Sequence, residues 1–254
     1  MKVPARVPIL TYHSLDASGS VVSVPPPAFR EHVRHLLECG FTGVSLDGLI
    51  AAWGGRGELP QRPVVLTFDD AYANVLEYAI PVLREAGFSA TLFAIAGASG
   101  TEYPGPRHAP GGPRLPLLDW AGLRAAVAAG FEVGSHTMTH RRLDQAPSGV
   151  ITREIESSKR LLEDRLGVPV RSFAYPYGIH DARSVQAVRD AYAAGCTTRM
   201  GVARVGSDRH LLPRIDVYYL RDPTTFRMFG TAAGGVYLAL RGTLRAARTA
   251  WRRR

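Results

Sequence analysis

Asp69-Asp70 closes the run Val64-Val65-Leu66-Thr67-Phe68, and His136-Thr137-Met138-Thr139-His140 follows Phe131-Glu132-Val133-Gly134-Ser135. Carboxylates and imidazoles bind divalent cations, and both sets stand directly after apolar runs that read as buried strands. Two histidines four residues apart face one cation if their segment is helical. A carboxylate from elsewhere then completes a three-ligand site with one position open to water. An open site of the zinc type makes hydroxide near neutral pH. The second carboxylate, next to a ligand, is the natural general base. This is the outline of a metal hydrolase.

The elements that must position these residues alternate. Val7–Tyr12, Phe41–Ser45, Val64–Phe68, Ala90–Ile95, Phe131–Gly134, Val170–Tyr175 and Ala194–Thr198 read as strands. Pro27–Glu38, Asn74–Ala86, Asp119–Ala129, Val150–Leu166 and His180–Tyr192 read as helices, with Asp119 as an N-cap and Gly87, Gly130 and Gly167 as stops. Strands alternating with helices imply a parallel sheet. About seven such units point to an α/β fold of the (β/α) barrel type. No glycine-rich phosphate fingerprint follows any strand, against a nucleotide fold. Between Gly97 and Pro116, ten of twenty residues are Gly or Pro, which predicts a long loop at a strand exit, where a barrel shapes its substrate site.

Further polar groups stand at strand exits. His13-Ser14 follows Ile9-Leu10-Thr11-Tyr12, and Tyr175-Pro176-Tyr177-Gly178 follows Ser172-Phe173-Ala174. Each has a plain structural reading when taken alone: a histidine bonding a loop carbonyl, an Asp pair capping a helix, a chance HxxxH, a Tyr-Pro turn. In a parallel barrel, however, all strand C-termini share one rim. The joint occurrence therefore argues for one site containing His13, Asp69, Asp70, His136, His140 and Tyr177.

Thr67-Phe68-Asp69-Asp70, Ser135-His136-Thr137-Met138-Thr139-His140 and Phe173-Ala174-Tyr175-Pro176-Tyr177-Gly178 resemble the first three motifs of the polysaccharide deacetylase (NodB-like) family, carbohydrate esterase family 4. Leu10-Thr11-Tyr12-His13-Ser14 is similar to the opening of its rearranged branch, which carries the catalytic-acid histidine near the N-terminus. The resemblance runs from about Pro8 to Tyr218. It implies a distorted (β/α) barrel, a divalent metal, usually zinc, and removal of acetyl groups from N-acetylated sugars. It makes Asp70, His136 and His140 the metal ligands and Asp69 the general base. The backbone N–H of Tyr177 would help hold the oxyanion, and His13 would protonate the leaving amine.

Two departures stand out. The usual third motif carries an Arg two residues before its proline, bonding the catalytic Asp. Here that position is Ala174, and Arg214 is the candidate to supply the guanidinium. The usual late Leu-x-His is not evident, so His210 competes with His13 as the acid; strand-exit position favours His13. His32, His35, His108 and His180 read as surface or structural.

Composition sets the bounds. A chain of 254 residues with 46% hydrophobic and 21% charged residues is ordinary for a globular protein. Cys39 and Cys196 are far apart and read as free thiols, which excludes a disulfide framework. No signal-peptide pattern and no spanning stretch is evident, so a cytoplasmic location is expected, with peripheral contact on the inner membrane face as a variant. The net charge of +9 draws much of its excess from Arg241, Arg245, Arg248, Arg252, Arg253 and Arg254. These recur with Tyr237, Leu240, Leu244, Ala247 and Trp251 as a basic amphipathic helix. That pattern suits either an anionic membrane surface, through residues 236–254, or packing on the barrel. Residues 1–228 thus form the catalytic domain and 229–254 a basic tail. The basic residues lack interleaved aromatics and no nucleic-acid motif occurs, so nucleic acid is not an expected partner. Two rival functions remain: an O-acetyl esterase on the same fold, and a non-catalytic glycan-binding or membrane-associated member.

Overall fold

Pro8 splits the first apolar run, since it has no N–H for a ladder. Strand β1 (Arg6–Val7) ends before it and β2 (Ile9–Tyr12) begins after it. The computed structural model describes residues 3–103 and 115–251. Helix α1 (Pro26–Glu38), β3 (Thr42–Val44), α2 (Leu46–Trp53) and β4 (Pro63–Asp70) come next. They are followed by α3 (Asn74–Glu85), β5 (Thr91–Ala94) and the antiparallel pair β6 (Glu102–Tyr103) and β7 (Leu115–Pro116). Helix α4 (Trp120–Ala128) and β8 (Glu132–Ser135) lead to α5 (Ser148–Thr152), a π-helical turn at Arg153–Ser157, and α6 (Ser158–Leu166). The chain continues through β9 (Ser172–Ala174), α7 (Ala182–Ala191), β10 (Ala194–Met200), β11 (Ala203–Arg204) and β12 (Leu212–Asp216). It ends in α8 (Pro223–Phe226) and α9 (Ala232–Trp251).

Seven parallel strands close a barrel in the order β2-β12-β10-β9-β8-β5-β4, and β4 pairs back to β2. The expected distorted (β/α) barrel is present. Strand β3 pairs parallel with the first residues of β4, from Pro63 to Val65, and β1 pairs antiparallel with β11. Alternation along the strands divides the core in two. Ile9, Val65, Phe93, Ala174, Cys196 and Leu212 fill the barrel interior, and Leu46 and Leu49 of α2 close its lower end. Leu10, Tyr12, Leu66, Phe68 and Leu92 face outward against the helices, meeting Phe29, Val33, Val75 and Leu83. Gly134 is forced by this interior: a Cβ there would lie 2.6 Å from the Phe93 ring.

Strand β12 is the barrel strand that the sequence pattern leaves out. Its register with β10 shifts between Cys196↔Leu212 and Met200↔Arg214, so four residues of β10 span two of β12. Pro213 cannot donate at that point, which accounts for the irregularity. The single helix expected over Val150–Leu166 is interrupted by the π turn. His180 lies before α7, which begins after an Asp181 capping box. Of the long Gly/Pro loop, residues 104–114 lie outside the described residues.

Candidate active site

The rim at the strand C-termini is built from unusual backbone. Asp70 (φ 66°), Ala71 (φ 55°), Thr137 (φ 70°), His140 (φ 58°) and Tyr177 (φ 60°) are the non-glycine residues of positive φ among those described. Asp70 ends β4, and the other four follow β4, β8 or β9. Left-handed backbone costs a residue with a Cβ on the order of 1–3 kcal/mol, and such residues gather where surrounding structure imposes them for a purpose.

His136–His140 is not helical, contrary to the spacing argument; Thr137 and His140 turn the chain through the left-handed region instead. Side chains hold the turn. Thr137 Oγ1 accepts the His140 N–H at 2.9 Å. Buried Glu154 accepts the N–H groups of Met138 (3.0 Å) and Thr139 (2.8 Å) and the Thr139 hydroxyl (2.6 Å). Glu154 lies in the π-helical turn, where the extra residue per turn presents it to this loop. From the other side, the N–H groups of Ala96 and Gly97 donate to the carbonyls of Thr137 and Met138.

The result is three converging ligand atoms. Asp70 Oδ1 lies 3.7 Å from His136 Nε2 and 3.5 Å from His140 Nε2. These are long for hydrogen bonds. They match the separation of about 3.4 Å between ligands on a tetrahedral ion with bonds of about 2.1 Å. Asp70 Oδ1 is buried and has no hydrogen-bond partner among the described residues, as an atom reserved for a cation would be. His136 Nδ1 donates to the Ala174 carbonyl at 2.7 Å, which turns the Nε2 lone pair to the site. Burial pushes His140 down to about 4, outweighing the opposite pull of Asp70, so its ring is neutral and able to ligate. The Asp70, His136 and His140 set fits a divalent cation, and such ligands accept several metals.

Beside this triad stands a buried ion pair. Arg214 rises from β12 inside the barrel, and its Nη1 and Nη2 donate to the two oxygens of Asp69 at 2.7 and 2.8 Å. Its Nη1 also donates to Thr67 Oγ1 (3.0 Å) and its Nε to the Thr197 carbonyl (3.0 Å). Burial alone would raise the Asp69 carboxyl, but Arg214, His136 and His13 reverse that and hold it well below the usual carboxylate range. Asp69 is therefore an ionised acceptor of fixed orientation. Residue 174 is a buried alanine of β9, and the guanidinium reaches Asp69 from β12 instead.

His13 completes the rim, with Nε2 3.9 Å from Asp69 Oδ2 and the ring partly open to solvent. Its loop is pinned by Asn74, which accepts the Leu15 N–H (3.1 Å) and donates to Ser14 Oγ (2.8 Å). Tyr177 packs its ring against His140 with centroids 4.7 Å apart. The turn beneath requires Gly178, at φ +67°, because a Cβ there would meet Thr198 Oγ1 at 2.2 Å.

The other histidines lie elsewhere. His210 is at the opposite end of the barrel, before β12, with Nε2 bonded to the Tyr192 carbonyl at 3.1 Å. His32 donates to the Arg221 carbonyl, His35 to that of Phe229 and His180 to that of Gly178. His108 lies outside the described residues. Glu154, Asn74 and Thr67 are the supports that the sequence does not single out. Glu154 stands in Arg153-Glu154-Ile155-Glu156, in the π turn, where it is buried.

Comparison with known proteins finds relatives for the chain. The family model for polysaccharide deacetylase matches residues 56–194. The Bacillus subtilis (strain 168) protein YxkH is 26% identical over 215 residues, 84% of this chain and 72% of that one. Poly-beta-1,6-N-acetyl-D-glucosamine N-deacetylase of Staphylococcus aureus (strain MRSA252) is 25% identical over 170 residues, 63% of this chain and 56% of that one. The chain thus matches little more than half the length of the staphylococcal relative. Among solved structures, the Streptococcus pyogenes deacetylase PplD, in complex with acetate, superposes with a TM-score of 0.75 at 25% identity. That superposition covers 88% of this chain and 97% of that one.

Proposed function

The chain belongs to the polysaccharide deacetylase family, and on that premise we propose that it hydrolyses the N-acetyl group of an N-acetylated sugar or glycan. The observation that carries this reading is the Arg214–Asp69 ion pair, held next to the three convergent ligands and within 3.9 Å of His13.

Amide hydrolysis needs an activated water, a stabilised oxyanion and a protonated leaving nitrogen. Asp70, His136 and His140 would hold a divalent cation, with zinc expected; when bound, it supplies Lewis acidity and makes hydroxide available near neutral pH. Asp69 takes the proton from the attacking water. Arg214 keeps that carboxylate ionised and turned to the rim, so acceptance needs no reorganisation. The Tyr177 N–H donates to the oxygen on which negative charge develops. His13 delivers a proton to the nitrogen as the C–N bond breaks, giving acetate and a free amine. Requirement for that last proton favours an amide over an ester, since an alkoxide leaves more readily than an amide anion. The complete Asp69, Asp70, His136 and His140 set argues against a non-catalytic member.

The test is an acetate-release screen after loading with zinc or other divalent metals, across N-acetylated monosaccharides, nucleotide sugars, lipid-linked sugars and glycans. Oligomers of β-1,6-linked N-acetylglucosamine lead the panel because the staphylococcal relative is named for that polymer. Acetate from an N-acetylated substrate is the expected result. None from any substrate, with metal bound, would refute the proposal.

A further inference from the structure

Helix α9 presents an apolar face outward. Val236, Leu240 and Leu244, spaced by four residues, are 62%, 60% and 59% exposed. The opposite face holds the helix to the barrel. The Tyr237 hydroxyl donates to the Tyr219 carbonyl at 3.1 Å, Gly242 packs on Met200, and Arg245 Nη1 bonds Asp216 Oδ2 at 3.3 Å. Tyr237, expected on the apolar stripe by spacing, is thus on the packed side, and Val236 takes its place. Met200 and Asp216 end β10 and β12, so α9 reaches the rim that carries the candidate active site.

Charge and aromatic placement complete the picture. From Pro223 to Arg254 the sequence has seven arginines and no Asp or Glu. Arg241 lies over the rings of Tyr219 and Tyr237, at 5.6 and 5.2 Å, and Arg221 lies over Tyr218 at 5.4 Å. Tyr218 is itself exposed. An apolar stripe flanked by arginine and tyrosine is the pattern of a helix lying in the interfacial layer, where apolar groups enter the acyl boundary and cations meet lipid phosphates. No described helix is long and apolar enough to cross a membrane. The side chains beyond Arg245 lie outside the description, but the sequence repeats the spacing at Ala247 and Trp251 and adds Arg248, Arg252, Arg253 and Arg254.

We propose that α9 docks the protein on an anionic membrane surface through Val236, Leu240 and Leu244, bringing the catalytic rim alongside the lipid. A second protein copy is a poorer fit, because two such helices would set their arginines against each other with no carboxylate on either to offset them.

Flotation of the full chain with phosphatidylcholine vesicles, with and without phosphatidylglycerol, tests this independently of any catalysis. The chain is expected to float with the anionic vesicles and to release as salt rises. Leu240→Glu/Leu244→Glu should cut binding about tenfold or more, while thermal melting stays that of the parent. Leu240→Trp, which adds interfacial area without charge, should tighten binding; it serves as the reading if the double variant misfolds. No flotation with anionic vesicles, or flotation unchanged by both variants, overturns the proposal. So does a concentration-dependent dimer in light scattering that Leu240→Glu/Leu244→Glu abolishes while flotation is absent.

Discussion

Replacing Arg214 by Met separates a functional guanidinium from a merely buried one. Arg214 is 1% exposed, and Asp69 beneath the rim is 3% exposed. The substitution roughly keeps volume but removes both bonds to the carboxylate, and with them the bonds to Thr67 Oγ1 and the Thr197 carbonyl. Breaking one side of a buried ion pair costs about 3–5 kcal/mol, since the remaining charge is left without compensation. The sign with pH follows from the causes of the Asp69 shift. In the parent the carboxyl is depressed, so its stabilisation is present above the unfolded value, near 4, and is lost as pH falls through the folded value. In Arg214→Met the burial that raises Asp69 is no longer opposed by its main partner. The carboxyl then keeps its proton to higher pH, and the variant's deficit shrinks toward about pH 4. Urea midpoints of metal-free protein at neutral and acid pH measure this directly. The acid limb of kcat/KM should move toward neutral, and the rate near pH 7 should fall at least about a hundredfold from misorientation of the base. Arg214→Lys, which keeps the charge without the fork, should lie between. A deficit below about 1 kcal/mol, or one equal at both pH values, would refute the assigned role.

Replacing His136 or His140 by Ala should abolish bound metal by elemental analysis, leaving the fold intact by circular dichroism; retention of stoichiometric metal would contradict the ligand set. Glu154→Ala strands the N–H groups of Met138 and Thr139, and should cost about 3 kcal/mol and weaken metal affinity, with Glu154→Gln recovering part of both in calorimetric titration. Burial pushes His32 down to about 4, outweighing the Arg221 carbonyl bond, and its ring stacks on Phe226 with centroids 3.9 Å apart. A depressed His contributes stability above its unfolded value near 6.5 and loses it as pH falls through the folded value, so about 3 kcal/mol should disappear between pH 6.5 and 4. A denaturation series on His32→Gln should lack that slope; an unchanged slope would place the acid sensitivity elsewhere.

The rim was legible in the sequence because each polar group follows a run whose apolar character marks a barrel strand. Asp69-Asp70 after Val64–Phe68 and His136 after Phe131–Ser135 need only the rule that parallel strands end together. The conformation of the rim was not legible. HxxxH spacing points to a helix, whereas Thr137 and His140 adopt left-handed backbone under constraint from Glu154, Ala96 and Gly97, all remote in sequence. Strand β12 escaped because Leu212-Pro213-Arg214-Ile215-Asp216 has a proline and an arginine where an interior strand normally has aliphatic residues. Both have physical reasons visible only in three dimensions: Pro213 occupies the register shift, and Arg214 has Asp69 above it. The absence of the motif Arg at Ala174 pointed to a replacement, and tertiary geometry identifies its source. Tyr237 shows the limit of helical spacing, which ranks faces but cannot say which one the barrel covers.

The most direct test of the central account is the product balance of one reaction. Metal-loaded protein is incubated with an N-acetylglucosamine oligomer, and acetate and primary amine are quantified together. The account predicts one amine per acetate for the parent, and for Asp69→Asn a loss of several powers of ten with metal content unchanged. Acetate without amine, or Asp69→Asn as active as the parent, would contradict it.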